Sequence, residues 1–440
     1  MELSHELVGG LGLLGVLVLI ILRVPVGAAL GTAGLVGYAA VDSWEFAAVA
    51  AGETASYLIG SEAYGLTVVP LFILMGVVAT RSGMSGELYA AANALFSGMR
   101  GALAMGTIGA CAGFGAISGS SLATAATMSR VAIPEMRRFG YGEAIATGTV
   151  ASGGTLGILI PPSVILIFYA IIAEAGVPEL FAAALIPGIV LALLHLVVIA
   201  IVGRLAPASV PKMPGLALAA RLRPLLRLWK VVILFGCAVG GIYLGVFSPT
   251  EAAAVSAFVA ILIAVATRTI DWKGLRDSAV ETVMTTAMLF FIVLGAFLFK
   301  EFMVLTQLPQ AVTDLFGAEA LHPYVVILIM LLVYLVLGCF LDSLSMILIT
   351  VPVFLPLAEI IGFDKVWFGI FVVVVAEIGL ITPPVGMNIF VIRAQIPDIS
   401  LGAVYRGIVP FLFADAALVV LLVLVPGMAL WLPALFYGQG

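Results

Sequence analysis

Apolar runs of membrane length, free of charged residues, recur along this chain between short polar clusters: Leu7–Leu22, Leu180–Gly203, Val231–Thr250, Ala252–Thr267, Thr282–Phe299 and Ala416–Gly440. A helix needs about 20 apolar residues to cross the hydrocarbon of a bilayer, so each run predicts a transmembrane helix. One further stretch does not fit a single crossing. Arg100 to Arg130 encloses 29 uncharged residues, about 44 Å of helix at 1.5 Å per residue, too long for one span and too short for two. Its middle, Gly113-Phe-Gly-Ala-Ile-Ser-Gly-Ser-Ser121, is poor helix material. The pattern predicts a re-entrant hairpin that enters and leaves by one face, with its tip near Ser118–Ser121.

The same design returns in the second half. An offset of 222 residues carries Ser120 onto Asp342, Ser121 onto Ser343, Pro134 onto Pro356, Gly157 onto Gly379, and Pro161-Pro162 onto Pro383-Pro384. Phe72-Ile-Leu-Met-Gly76 is echoed by Phe291-Ile-Val-Leu-Gly295. The expected fold is therefore an all-α polytopic membrane protein with inverted-topology repeats, two re-entrant helical hairpins and discontinuous helices. The first repeat covers 1–203, with a hairpin at about 100–136 and a broken helix at about 141–174. A connector covers 204–230, and the second repeat covers 231–440, with a hairpin at about 322–359 and a broken helix at about 366–396. Tandem prolines remove amide donors and clash with the preceding turn, which is why the segment after each hairpin reads as broken. Irregular backbone at membrane depth survives only when buried in protein or lining a wet cavity. Paired Gly/Pro interruptions at matching places in two halves point to a transporter's binding site.

Composition agrees and charge adds direction. The chain is 63% hydrophobic and 10% charged, which excludes an ordinary soluble core. Glu2 and Glu6 precede the first run and no basic segment lies ahead of it, so that run reads as a span and not a signal peptide. Threading the chain with the acidic connection Asp42–Glu62 outside puts 17 of the 19 lysines and arginines on the cytoplasmic side, leaving Lys300 and Lys365 outside. Cytoplasmic loops carry such an excess. A multi-pass protein of the bacterial inner membrane with both termini periplasmic follows, the first hairpin opening to the cytoplasm and the second to the periplasm. The connector has six basic residues and no acid; it reads as an amphipathic arm on anionic lipid or as a solvated linker. Cys111, Cys237 and Cys339 lack disulfide or metal spacing and read as small hydrophobes.

The candidate chemistry sits at the hairpin tips. Ser118, Ser120 and Ser121 offer hydroxyls at one, Asp342, Ser343 and Ser345 oxygen groups at the other, and Thr155 and Thr382 stand beside the broken helices. Hydroxyls, freed carbonyls and a carboxylate suit a hard cation such as Na+. Asp342 is a lone acid between apolar runs, and an intramembrane acid is a functional candidate by default; the bland reading is a carboxylate bonded to hairpin amides. Arg81 and Lys300 follow the echoed Phe-Ile-x-x-Gly segments and read either as snorkelling helix-end residues or as groups that steer an anion. Glu377 faces the interior or water, as ion relay or structural partner. His195, alone in its span, reads as a packed polar residue. No phosphate-binding loop, zinc-protease helix or hydrolase nucleophile elbow occurs, so the chain does not hydrolyse ATP itself and is not expected to be an enzyme. No nucleic-acid partner is expected.

At these residues a family resemblance becomes specific. Ile117-Ser-Gly-Ser-Ser-Leu-Ala-Thr-Ala-Ala126, Ile133-Pro-Glu-Met136, Gly140-Tyr141, Gly157-Ile-Leu-Ile-Pro-Pro-Ser163, Pro249-Thr-Glu-Ala-Ala-Ala254, Thr382-Pro-Pro-Val-Gly-Met-Asn388 and Val24-Pro-Val-Gly-Ala-Ala-Leu-Gly31 resemble, in that family's order, the large membrane subunit of tripartite ATP-independent periplasmic (TRAP) transporters. The resemblance implies a sodium-coupled, elevator-type carrier of organic acids. It implies work with a periplasmic substrate-binding protein and a small four-helix membrane subunit, the latter expected from another polypeptide. By position, the resemblance implies two or more Na+ ions, one site using Ser118, Gly119, Gly153, Thr155 and Gly157, and the other Gly338, Asp342, Ser343, Gly379 and Thr382. A small carboxylate substrate would meet Ser120, Ser121, Ser163, Asp342, Ser343 and Asn388, with Lys300 from the adjoining helix. A stand-alone proton-coupled anion carrier of the same fold is the alternative, and an anion channel a more distant one.

Overall fold

The computed structural model describes residues 4–60, 65–316 and 322–438. Among these residues the chain is helical throughout, with no strand beyond an isolated bridge between Arg100 and Lys212. Five helices are long and apolar enough to cross a membrane, or up to eight if each bent pair counts as one span.

From the hairpin through the long helix that follows the break, the two halves carry the same elements in the same order. The first hairpin has arms Ala102–Ser118 and Ser121–Arg138; the second has arms Pro323–Gly338 and Ser343–Ile360. Each is followed by a broken helix: Glu143–Leu159 with Val164–Ile172, and Lys365–Ile381 with Met387–Gln395. The first of these bends by 47° at its break. Both Pro161–Pro162 and Pro383–Pro384 peptide bonds are cis. A long helix closes each repeat's transport unit, Val177–Leu205 in the first and Leu401–Leu424 in the second.

A separate group of helices forms a framework beside these hairpins. Val26–Val41 lies along the 34-residue helix Trp272–Leu305, with Val68–Arg81 and Pro249–Ala266 packed alongside. Glycines allow the closest of these crossings: Gly27 and Gly295 touch backbone to backbone, and a Cβ on Gly34 would sit 2.7 Å from the Leu298 carbonyl carbon. Between framework and hairpins, Val68–Arg81 meets the first hairpin, a Cβ on Gly76 lying 3.0 Å from the Ile117 carbonyl oxygen.

Three segments differ from the sequence reading. The connection Asp42–Glu62 contains the helix Trp44–Ile59, begun by Ser43, whose hydroxyl accepts from the Phe46 amide; Glu62 lies outside the described residues. The run Ala416–Gly440 is not one span. Leu401–Leu424 ends before Pro426 and a separate helix, Gly427–Tyr437, follows, because the proline cannot continue the hydrogen-bond ladder. The connector carries the short helix Leu218–Leu226 and is pinned to the body. Arg100 donates to the Pro207 and Val210 carbonyls, Arg221 donates to the Ser97 carbonyl, and buried Lys230 pairs with Glu87 at 2.8 Å.

Candidate ion and substrate site

Each hairpin tip is a helix end followed by a helix start. Ala102–Ser118 stops at Gly119, held at φ +60° in the left-handed region that glycine occupies without strain. Ser120 then caps the second arm, its hydroxyl accepting from the Ala123 amide at 3.3 Å. At the other tip Asp342 does the same for Ser343–Ile360: one carboxylate oxygen accepts from the Ser345 amide at 3.2 Å, and the other from the Ser345 hydroxyl. The offset pair Ser120 and Asp342 is thus a pair of equivalent helix caps. Asp342 is bonded to a hairpin amide, as the bland reading had it, and also lines the main cavity, half-buried.

The break of each broken helix faces a tip. Gly115 and Gly157 touch in the first half, and a Cβ on Gly157 would lie 2.6 Å from Thr124 Oγ1 and 2.8 Å from the Ser120 carbonyl oxygen. In the second half Gly338 and Gly379 cross in the same way, a Cβ on Gly379 lying 2.7 Å from Gly338 Cα. Two helix C-termini therefore converge at each tip: Ser118 with Leu159, and Gly338 with Ile381. The last four carbonyls of a helix lack intrahelical partners, and the macrodipole makes that end negative. Oxygen-rich, negative and tightly built, each junction fits a small hard cation.

A cavity of about 970 Å³ joins the two tips. Ser118, Gly119, Ser120, Ser121, Asp342 and Ser343 line it on the hairpin side. The framework contributes Gly27, Gly76, Thr80, Thr285 and Phe291, and the basic end of the cavity carries Arg81, Arg130 and Glu281. Arg81 there pairs with Glu281 at 2.7 Å, so it is a partnered residue at the cavity's mouth and not a free snorkelling group.

Several expected site residues support this surface from behind. Asn388, fully buried, donates to Ser121 Oγ at 3.0 Å and to the Ala151 carbonyl at 3.5 Å. Ser163 is buried and caps Val164–Ile172 through the Leu166 amide. Gly153 packs against Cys111, a Cβ there meeting its sulfur at 2.8 Å. Thr382 donates to the Ile378 carbonyl at 2.6 Å. Thr155 turns away from the large cavity, donating to the Ser152 carbonyl at 2.7 Å. Lys300 is not brought to the site. It pairs with Glu174 at 3.5 Å, while Lys365 donates to the Glu174 carbonyl at 2.9 Å, so both lie at the end opposite Arg81 and Arg130.

Other residues emerge only in three dimensions. Thr124 bridges the first junction, 3.1 Å from Ser118 Oγ and 2.7 Å from the Ser120 carbonyl; its place in Ile117–Ala126 was the available signal. Ser343 donates to Glu377 at 2.7 Å, which makes the acid a buried partner of the second tip. His195 is not alone: Asp415, 220 residues on, pairs with it at 2.9 Å. The three cysteines are free.

Mirrored hairpins and broken helices around a shared cavity define a polytopic secondary transporter rather than an enzyme. The model of the DctM component of tripartite ATP-independent periplasmic transporters matches residues 13–428, and the chain belongs to that family. A C4-dicarboxylate TRAP transporter large permease protein of Pseudomonas aeruginosa is 38% identical over 382 residues, covering 85% of this chain and 87% of the relative. A sialic acid TRAP transporter large permease protein of Vibrio cholerae is 31% identical, covering 87% and 89%. An ectoine/5-hydroxyectoine large permease of Ruegeria pomeroyi is 32% identical, with the same coverage of 87% and 89%. Among solved structures, the YdaH transporter of Alcanivorax borkumensis shares the fold at a TM-score of 0.60 and 15% identity, covering 87% of this chain and 88% of that one. Family membership makes the chain one component of a multi-part transport system.

Proposed function

We propose that this chain carries a small organic acid into the bacterial cytoplasm, driven by sodium and supplied by a periplasmic binding protein, with a small four-helix membrane subunit as its partner. The observation that carries the reading is the convergence, at each hairpin tip, of two helix C-termini on one cavity. Ions held by Ser118, Gly119 and Gly157 at one tip, and by Gly338, Asp342, Ser343 and Gly379 at the other, would fix both loops. The Ser120 and Ser343 hydroxyls and the N-termini of the second arms are then ordered to receive a carboxylate, because amide-bearing helix starts favour anions. An elevator movement of the hairpin unit against the framework would carry the load across. The cavity's basic end, on the side that the positive-inside pattern assigns to the cytoplasm, supports an inward-facing conformation here.

The names of the relatives give C4-dicarboxylates, sialic acid and ectoines, which supports a small carboxylate-bearing substrate. A C4-dicarboxylate is the first to test, on the strength of the Pseudomonas relative's name. The chain, its small subunit and its loaded binding protein are reconstituted in liposomes, and uptake is followed with and without an inward sodium gradient. Uptake only with sodium outside is expected. Flux that persists unchanged when sodium is replaced by potassium on both sides sinks the coupling; a proton gradient that sustains it would favour the stand-alone alternative's chemistry.

A further inference from the structure

Behind the second tip, apart from the large cavity, helices of both halves meet around a small space. Its volume is about 10 Å³, and its walls are Leu159, Leu191 and Val374 together with Thr155, Glu377 and Asp415. That is room for about one water-sized occupant. Glu377 and Asp415 are 3% and 2% exposed. Each acid uses one oxygen on a neighbour: Glu377 Oε1 accepts from Ser343 Oγ, and Asp415 Oδ1 faces His195 Nε2. Their second oxygens, Glu377 Oε2 and Asp415 Oδ2, are buried without any hydrogen-bond partner. Thr155 donates its hydroxyl proton to Ser152, which leaves its oxygen lone pairs free.

The Ser121 hydroxyl also lies beside Glu377, but no lysine or arginine compensates these acids. Among the described residues neither carboxylate has a lysine or arginine ion pair. Lys365 lies at the far end of the Glu377 helix, bonded to the Glu174 carbonyl, and Arg393 on the following helix is exposed. The neighbouring helices otherwise present Tyr334, bonded to Thr350, and Asn388, bonded to Ser121. A buried charge without a partner costs several kcal/mol. Two such carboxylate oxygens on one small cavity call for a positive occupant. Among the described residues no three His, Cys, Asp or Glu side chains gather as a transition-metal site would require, and an all-oxygen donor set suits a hard ion.

We propose that this cavity is a further cation site, separate from the two hairpin tips, in which one desolvated sodium-sized ion is held by Glu377 Oε2, Asp415 Oδ2 and Thr155 Oγ1. The ion ties both repeats together, since Thr155 belongs to the first and both acids to the second. The site goes beyond the sodium-coupled reading and does not need an ion at either tip.

Equilibrium binding of sodium-22 to the purified, full-length chain in complex with its small subunit, with no substrate present, tests it by counting ions per complex. Glu377→Gln and Asp415→Asn nearly preserve shape and remove one charged ligand each; folding is checked by circular dichroism and size-exclusion elution. One sodium ion fewer than the wild type in each variant, with the remaining ions unchanged in affinity, is expected. An unchanged count in either folded variant, or loss of every ion at once, overturns the site. Thr155→Val supplies the decision where an amide variant does not fold: weakened binding of one ion supports the site, and an unaltered isotherm overturns it. A wild type whose sodium ions are indifferent to these changes removes this site and leaves the tip sites standing; a wild type that binds no sodium removes both.

Discussion

Ser120 and Asp342 occupy equivalent cap positions, yet only one is charged, and that difference separates two jobs. Asn, Asp and Ser cap helices about equally well, whereas alanine at an N-cap costs about 0.5–2 kcal/mol. Asp342→Asn is therefore expected to keep the thermal stability of the purified protein and to lose sodium-dependent uptake. Asp342→Ala is expected to lose both, as read by melting curves beside proteoliposome flux. Equal loss of stability in the two variants would reduce Asp342 to its structural duty. Asp342 was legible in the sequence because it stands alone between long apolar runs. Asp415 was not, because its meaning depends on His195 in the other repeat, a contact that no local pattern encodes. Lys300 was misplaced for a related reason. Its distance from the echoed Phe-Ile-x-x-Gly segment equals that of Arg81, yet an inverted repeat sends the two cations to opposite ends of the molecule.

Elements were more legible than contacts. Hairpins and breaks fall close to where uncharged length, glycine and proline put them, since those signals act along the chain: a helix too long for one crossing must turn, and a proline pair must interrupt it. The helix Trp44–Ile59 escaped notice because its glutamates, Glu45 and Glu53, gave it the look of an outer connection. The crossings of Gly115 on Gly157 and Gly338 on Gly379 set how closely each tip meets its broken helix. Inserting a methyl group into packing this tight costs about 1–3 kcal/mol. Gly379→Ala should lower stability by about that much and, by pushing the tip from the break, abolish the stabilisation that sodium gives in melting curves. Gly86 supplies the contrast. It lies inside the helix Met84–Phe96 with no atom near its missing Cβ, so Gly86→Ala should be neutral or stabilising by about 0.4–1 kcal/mol. Equal destabilisation at both sites would contradict the close-packing account.

At the scale of the whole molecule, the hairpin unit and the framework face each other across the large cavity, and the proposed elevator movement requires them to slide. Thr80 on the framework and Thr127 on the first hairpin both line that cavity. With cysteines at these two positions in a chain cleared of its native cysteines, a bifunctional thiol reagent that spans the cavity and is cleaved by reductant should stop uptake, and reductant should restore it. Uptake that continues in fully cross-linked protein would exclude relative movement of the two units. The sequence by itself determined the membrane class, the doubled architecture and where the hairpin tips fall. Each of these rests on one-dimensional quantities: apolar length, breaker spacing and repeat offset. Only the tertiary structure decided that Ser120 and Asp342 are caps, that Thr124 bridges the first junction, that Lys300 stands away from the cavity, that His195 pairs with Asp415, and that Asp415 and Glu377 line one small cavity. The caps and the Thr124 bridge depend on how each tip turns, and the His195–Asp415 contact on packing between helices 220 residues apart in the chain, where the free energy of a buried polar group depends on a partner that local sequence does not specify.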